Sequence, residues 1–186
     1  MTVRTVRVAL VLGLLLALGW GAHRLTQPAT DSAAAEALTM PATAAGPYPV
    51  RHVDDGDTIQ VTINQATVTV RLIGIDTPET VKPNTPVQCY GPEASARTKQ
   101  LLTGHTVWLE TDPSQDQVDK YGRTLAYVWL DQTTMVDEVL VRDGYAHEYT
   151  YNTAYRYQSR FLTAQADARA AHRGLWSPTT CNGITQ

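Results

Sequence analysis

The chain has 186 residues, of which 43% are hydrophobic and 18% charged, a globular composition that excludes a wholly disordered protein. Its length suits one ordinary domain with an additional segment and is too short for two full domains. A formal charge of −3 excludes a strongly basic, purely electrostatic nucleic-acid binder, and having only Cys89 and Cys181 excludes a disulfide-dense scaffold and an all-cysteine zinc site.

Arg4 and Arg7 precede an apolar run from Val8 to Ala22, closed by His23-Arg24. A positive start before such a run reads as an export signal over residues 1–24. No Ala-x-Ala site directly follows the run, so a retained signal-anchor fits as well as a cleaved signal. The run is short for a spanning helix, which needs about 20 apolar residues. The arginines predict a cytoplasmic N-terminus with the remainder translocated. The expected location is therefore secreted, periplasmic, or anchored through residues 8–22 on the outer face of the membrane. Residues 25–49 are rich in Ala, Pro and Thr, with Pro28, Pro41, Pro47 and Pro49, and read as a loose tether.

The domain is expected over residues 50–177, with a tail at 178–186. Thr58 to Asn64 alternates strictly, with Ile59, Val61 and Ile63 on one face, which predicts a half-buried strand. Asn64-Gln65 supplies a turn into a longer strand from Thr67 to Ile75, and Pro78 follows as a stop. Pro92 to Leu102 has helix composition. His105 to Glu110 and Leu125 to Leu130 read as further strands. Thr134 to Arg142 and Tyr155 to Arg173 read as helices, stopped by Gly144 and Gly174. In the last helix Tyr157, Phe161, Ala164 and Ala168 recur at helical spacing. Short strands with helices inserted and appended predict a small barrel with helices packed on it, an α+β fold that is mainly β.

Asp57 has the parity of Ile59, Val61 and Ile63, and Asp76 that of Val68, Val70 and Leu72. If the two strands form a hairpin, both carboxylates reach one rim, where a cation between them relieves their repulsion. Oxygen ligands of this kind favour Ca²⁺ or Mg²⁺ over Zn²⁺. Asp55-Gly56-Asp57 is equally ordinary turn chemistry. Glu79, held near the same rim by Pro78, has the chemistry to orient or deprotonate water, and it also fits a solvated loop residue. Arginine forks match phosphate oxygens, which singles out Arg71 and Arg123. Taken alone, each arginine is also a common surface ion-pair partner. Strict alternation puts Arg71 on the face opposite Asp76, so the two meet only if the chain bulges or coils near Gly74.

Six segments in order give these residues a family resemblance: Asp55-Gly-Asp-Thr58, Arg71-Leu-Ile-Gly-Ile-Asp-Thr-Pro-Glu79, Tyr90-Gly-Pro-Glu-Ala94, Asp119-Lys-Tyr-Gly-Arg123, Val139-Leu-Val-Arg-Asp-Gly144 and Gly174-Leu-Trp176. Together they span almost all of 50–177, which resembles the staphylococcal-nuclease, or thermonuclease-like, family. The resemblance implies a five-stranded OB-fold barrel with three helices. It implies a Ca²⁺-dependent endonuclease that acts on DNA and RNA and leaves 3′-phosphate ends. By position, Asp57 and Asp76 match the family's carboxylate metal ligands and Thr77 its carbonyl ligand. Glu79 matches the water-activating residue, and Arg71 and Arg123 the phosphate-binding arginines. Asp55 matches an acidic neighbour of the metal. Lys120 and Tyr121 match substrate-phosphate contacts, and Tyr149 and Tyr151 lie near the tyrosines over the base pocket.

Two departures stand out. Residues 50–186 carry 12 Lys and Arg against 16 Asp and Glu, so phosphate attraction must come from local groups and the cation. The acidic stretch from Asp112 to Asp119 is expected to repel a polyanion. Export would allow Cys89 and Cys181 to form one disulfide, clipping the tail to the segment entering the first helix. The protein is expected to act as a monomer. The alternative to a nuclease is a noncatalytic OB-fold module binding nucleic acid or a protein partner, and a plain envelope-anchored structural domain is a third reading. Retention of Asp57, Asp76, Glu79, Arg71 and Arg123 favours the enzyme.

Overall fold

The computed structural model describes residues 37–81 and 85–185. The export segment at 1–24, including residues 8–22, and residues 25–36 of the tether lie outside the described residues. Among the described residues no helix is long and apolar enough to cross a membrane.

The elements follow in chain order: β1 Ala45–Asp55, β2 Thr58–Ile63, β3 Ala66–Leu72, β4 Ile75–Asp76, α1 Gly91–Leu102, β5 Thr106–Glu110, β6 Thr124–Trp129, α2 Val136–Arg142, β7 His147–Glu148 and α3 Gln158–Ala170. A 3-10 turn at Gly174–Trp176 comes last among the described elements. Five strands close a barrel in the order β1-β2-β3-β6-β5. Only β3 and β6 run parallel; the other neighbours are antiparallel. The α+β class and the five-stranded barrel with three helices are as expected.

The β2–β3 hairpin shows why the sequence folds this way. Asn64 and Gln65 both have positive φ, 49° and 67°, which a two-residue turn matched to strand twist requires. That turn sets Ile63 opposite Ala66 and Ile59 opposite Val70. Alternation then sends Ile59, Val61, Val70 and Leu72 inward, where each is buried. Each such aliphatic side chain contributes roughly 1.5–3 kcal/mol relative to exposure. Val107, Val128 and Trp129 line the opposite strands. Helix α3 buries Phe161, Ala164 and Ala168, the face that the periodicity picks out, although it is shorter than expected at both ends.

Two expectations are corrected. The tether does not reach residue 49, because β1 begins at Ala45 and pairs with β5 through Tyr48↔Val107 and Pro49↔Thr106. A register shift between Ala45 and Tyr48 takes Pro47 off the ladder, so its missing N–H does not stop the strand. The strand expected from Thr67 to Ile75 ends at Leu72. A turn at Ile73-Gly74 breaks it, and the chain resumes as β4, paired with β7 rather than with the barrel.

Candidate active site

Asp57 sits in the turn between β1 and β2, and its carboxylate is pinned from three sides. Oδ2 accepts the Thr77 N–H at 3.0 Å and meets Arg71 Nη2 at 3.0 Å, while Oδ1 accepts the Thr58 hydroxyl at 3.0 Å. Arg71 Nη2 also reaches Asp76 Oδ1 at 3.1 Å. One guanidinium nitrogen therefore touches both aspartates, whose oxygens are no farther apart than the sum of those two contacts. Asp57 is buried, whereas the Asp76 side chain is 55% exposed, so the pair opens to solvent on one side.

The Ile73-Gly74 turn brings Arg71 and Asp76 together. Gly74 has φ +77°, and a Cβ there would lie 2.5 Å from the Tyr155 ring, so only glycine fits. The reversal aims the Ile75 carbonyl at Arg71 Nη1, which donates to it at 2.9 Å and to the Leu72 carbonyl at 3.1 Å. The coil that alternation requires near Gly74 is thus present.

Arg123 joins the group from β6's leading turn. Its Nη1 donates to the Thr58 hydroxyl at 3.4 Å, and Thr58 in turn donates to Asp57. Asp119 grips the same guanidinium through Nε at 2.7 Å and Nη2 at 2.6 Å. Burial works against the Asp119 charge, but the Arg123 amide and guanidinium outweigh it and hold the carboxyl below its usual range. A continuous chain of contacts runs Arg123–Thr58–Asp57–Arg71–Asp76.

Glu79 lies on the loop after Pro78. Its Oε1 accepts the N–H groups of Thr80 and Val81, each at 3.1 Å. Thr80 also ties this loop to Asp55, through its hydroxyl at 2.6 Å and its N–H at 3.2 Å. Burial, and then the adjoining Glu79 carboxyl, raise the Asp55 pKa, with Thr80 and the Gly56 amide opposing.

Tyr121 is 71% exposed, with Arg123 lying 5.3 Å and Lys120 5.1 Å from its ring centroid. Tyr149 and Tyr151 are also exposed, their centroids 6.4 Å apart. The Tyr149 N–H donates to the Gly74 carbonyl at 2.9 Å, which puts this pair beside the turn that carries Arg71 to Asp76. His147 faces Asp76 across the β4–β7 pair and packs edge-on to Trp176 at 4.8 Å. Burial, then Arg169, lowers its pKa.

Of the three aspartates from Asp112 to Asp119, only Asp116 is exposed. Asp112 is buried and accepts bonds from the Tyr127 hydroxyl at 2.7 Å and the Arg156 N–H at 2.7 Å, and Asp119 is spent on Arg123. Sequence reasoning singled out neither Thr58 nor Asp119 for these roles. The i, i+4 spacing of Asp119 and Arg123 was the available signal.

Asp57, Asp76 and the Thr77 carbonyl would make an oxygen-only donor set with no His or Cys. The Thr77 hydroxyl beside them is buried without a partner among the described residues. This chemistry fits a hard cation, which accepts carboxylate, carbonyl and water oxygens together. Two carboxylates are few: among the described residues no group of three or more His, Cys, Asp or Glu is gathered for a metal. Most of the coordination would fall to the carbonyl and to water. Cys89 and Cys181 are bonded, with Cα atoms 5.9 Å apart.

Comparison with known proteins places the chain in a family. A family model described as staphylococcal nuclease homologue matches residues 69–178. The thermonuclease of Staphylococcus hyicus is 49% identical over 130 residues, covering 70% of this chain and 75% of that protein. The thermonuclease of Staphylococcus intermedius is 46% identical over 129 residues, with 69% and 75% covered. Endonuclease YncB of Bacillus subtilis is 43% identical over 124 residues, 66% of this chain and 58% of that protein.

Proposed function

The chain belongs to the staphylococcal nuclease family, and from that premise we propose that it is a Ca²⁺-dependent endonuclease that hydrolyses DNA and RNA and leaves 3′-phosphate ends. The observation that carries this reading is the contact chain from Arg123 to Asp76, which gathers two guanidiniums and two carboxylates at one barrel rim.

Asp57, Asp76 and the Thr77 carbonyl would hold the ion, which when bound supplies positive charge beside the reacting phosphate. Glu79 orients a water and accepts its proton as the oxygen attacks phosphorus. The bond from phosphorus to the 5′ oxygen breaks, the leaving oxygen takes a proton from solvent water and Glu79 returns its own to solvent, so one fragment ends in a 3′-phosphate and the other in a 5′-hydroxyl. Arg71 and Arg123 offer planar forks to the phosphoryl oxygens as charge builds. Asp119 braces the Arg123 fork, whereas Arg71 gives up its contacts with Asp57 and Asp76 to engage the phosphate. Lys120 and Tyr121 contact the substrate backbone, and Tyr149 and Tyr151 stack on bases. The enzyme acts as a monomer. The disulfide supports a site of action in an oxidising compartment outside the cytoplasm, and residues 8–22 are the proposed export signal or anchor.

The test is digestion of single-stranded DNA by the full-length chain, with Ca²⁺ and then with excess chelator, followed by end-group analysis. We expect Ca²⁺-dependent products ending in 3′-phosphate. Tight DNA retention without products would instead identify a noncatalytic OB-fold binding module.

A further inference from the structure

We propose that Gln88, fixed in place by the neighbouring Cys89–Cys181 disulfide, is the positioning residue for Glu79; this rests on the hydrolytic role given to Glu79 above. A carboxylate that directs a water has to be held to within a fraction of an ångström, because small misplacements of catalytic groups lower rates steeply. Glu79 sits on neither a helix nor a strand, so no backbone ladder holds it there. Gln88 supplies the missing ladder from across the loop. Its Oε1 accepts the Glu79 N–H at 2.8 Å, and its own N–H donates to the Glu79 carbonyl at 2.9 Å. One residue thus holds both backbone polar groups of Glu79.

Gln88 is itself anchored on its C-terminal side. The Gly91 N–H donates to the Gln88 carbonyl at 3.0 Å. A Cβ on Gly91 would stand 2.9 Å from the Glu79 carbonyl oxygen and 3.1 Å from that of Pro78, so the start of α1 lies directly against the Glu79 backbone. Cys89 donates its N–H to the Thr185 carbonyl at 3.1 Å and is bonded to Cys181. Cys181 is buried in a small apolar cluster with Ala168, Leu175 and Trp176, which Tyr90 covers. The far end of the Glu79 loop is therefore clamped to the C-terminal tail, while its near end is clamped to the barrel through Thr80 and Asp55. Opening the far clamp frees the Gln88 end of the loop and lets the Glu79 backbone drift.

The test compares wild type, Gln88→Ala, Gln88→Glu and the double variant Cys89→Ser/Cys181→Ser as full-length chains. Two quantities are read: Ca²⁺-dependent cleavage of single-stranded DNA, resolved into kcat and KM, and hydrogen exchange of the peptide containing Glu79. Gln88→Ala should lower kcat about tenfold, the scale of one lost hydrogen bond, with KM unchanged and faster exchange at Glu79. Gln88→Glu keeps an oxygen acceptor and should restore both quantities. The cysteine variant should show the Gln88→Ala signature, and if it fails to fold the two Gln88 variants decide. Unchanged kcat or unchanged exchange in Gln88→Ala, a loss seen only in KM, or an equal loss in Gln88→Glu would overturn the proposal. A wild-type chain without Ca²⁺-dependent cleavage would instead overturn the hydrolytic reading, and exchange at Glu79 reports the clamp whichever way cleavage turns out.

Discussion

Opening the Cys89–Cys181 bridge should cost the protein a large share of its stability. The cysteines are 92 residues apart in sequence, so the bridge closes most of the domain into one loop. In the chain-entropy account a loop of that size withholds about 4–5 kcal/mol of entropy from the unfolded chain at 25 °C. The folded state recovers little when the bridge opens, because other contacts hold the tail. The Asn182 N–H donates to the Ser177 carbonyl at 3.0 Å and the Gly183 N–H to the Leu175 carbonyl at 2.8 Å. Typical domains are stable by only about 5–15 kcal/mol, so the loss is large in proportion. Urea unfolding followed by far-UV circular dichroism, with and without reductant, reads the difference. With a slope of about 2 kcal/mol per molar, the midpoint should fall by about 2 M. Reductant should not move the midpoint of Cys89→Ser/Cys181→Ser. A fall of less than about 0.5 M in the wild-type chain would refute the loop-closure reasoning.

Arg71→Lys and Arg123→Lys should each lower turnover on single-stranded DNA by about 10²–10³-fold with little change in unfolding midpoint, since lysine keeps the charge and loses the fork. Loss of folding in both would assign the arginines to structure instead. Asp137 is fully buried; burial first, then Glu110, raises its carboxyl pKa well above 3.8, against the Val128 N–H that bonds Oδ2 at 2.9 Å. A carboxyl whose folded pKa is raised loses stability as pH climbs past its unfolded pKa, because the folded chain resists giving up the proton. The stability of Asp137→Asn relative to wild type should therefore rise between about pH 4 and pH 7 in thermal unfolding. A pH-independent difference would contradict the buried-charge account.

The parts of this fold that local chemistry dictates are legible in the sequence. Alternation from Thr58 to Ile63 with Asn64-Gln65 gives the hairpin, and the spacing of Phe161, Ala164 and Ala168 gives the buried face of α3. Strand β1 is hidden because Pro47 and Pro49 read as tether, and only its C-terminal end carries buried residues, among them Val53. The meeting of Arg71 with Asp76 depends on one glycine turn that alternation alone argues against. Distant partners are the least legible. Glu110 looks like the polar end of a strand, yet it is buried and accepts bonds from Trp129 Nε1, the Tyr157 hydroxyl and Arg156 Nη1. Burial, then the Glu110 charge, pushes the Tyr157 hydroxyl up to about 12. Nothing near Glu110 in the chain announces those partners, which are 19 to 47 residues away. The same holds for the pairing of Gln88 with Glu79, since a glutamine in a loop carries no local signature.

The shared-cation claim is tested most directly by titrating Ca²⁺ into the cleavage reaction of wild type and Asp76→Asn. Asp76 is more than half exposed, so the substitution removes one negative charge from the proposed ion site while leaving the core intact. The account predicts a saturable Ca²⁺ dependence in wild type and a rate lower by about 10²-fold or more in Asp76→Asn at the same Ca²⁺. Superimposable titration curves for the two proteins, or wild-type cleavage that persists in chelator, would contradict it.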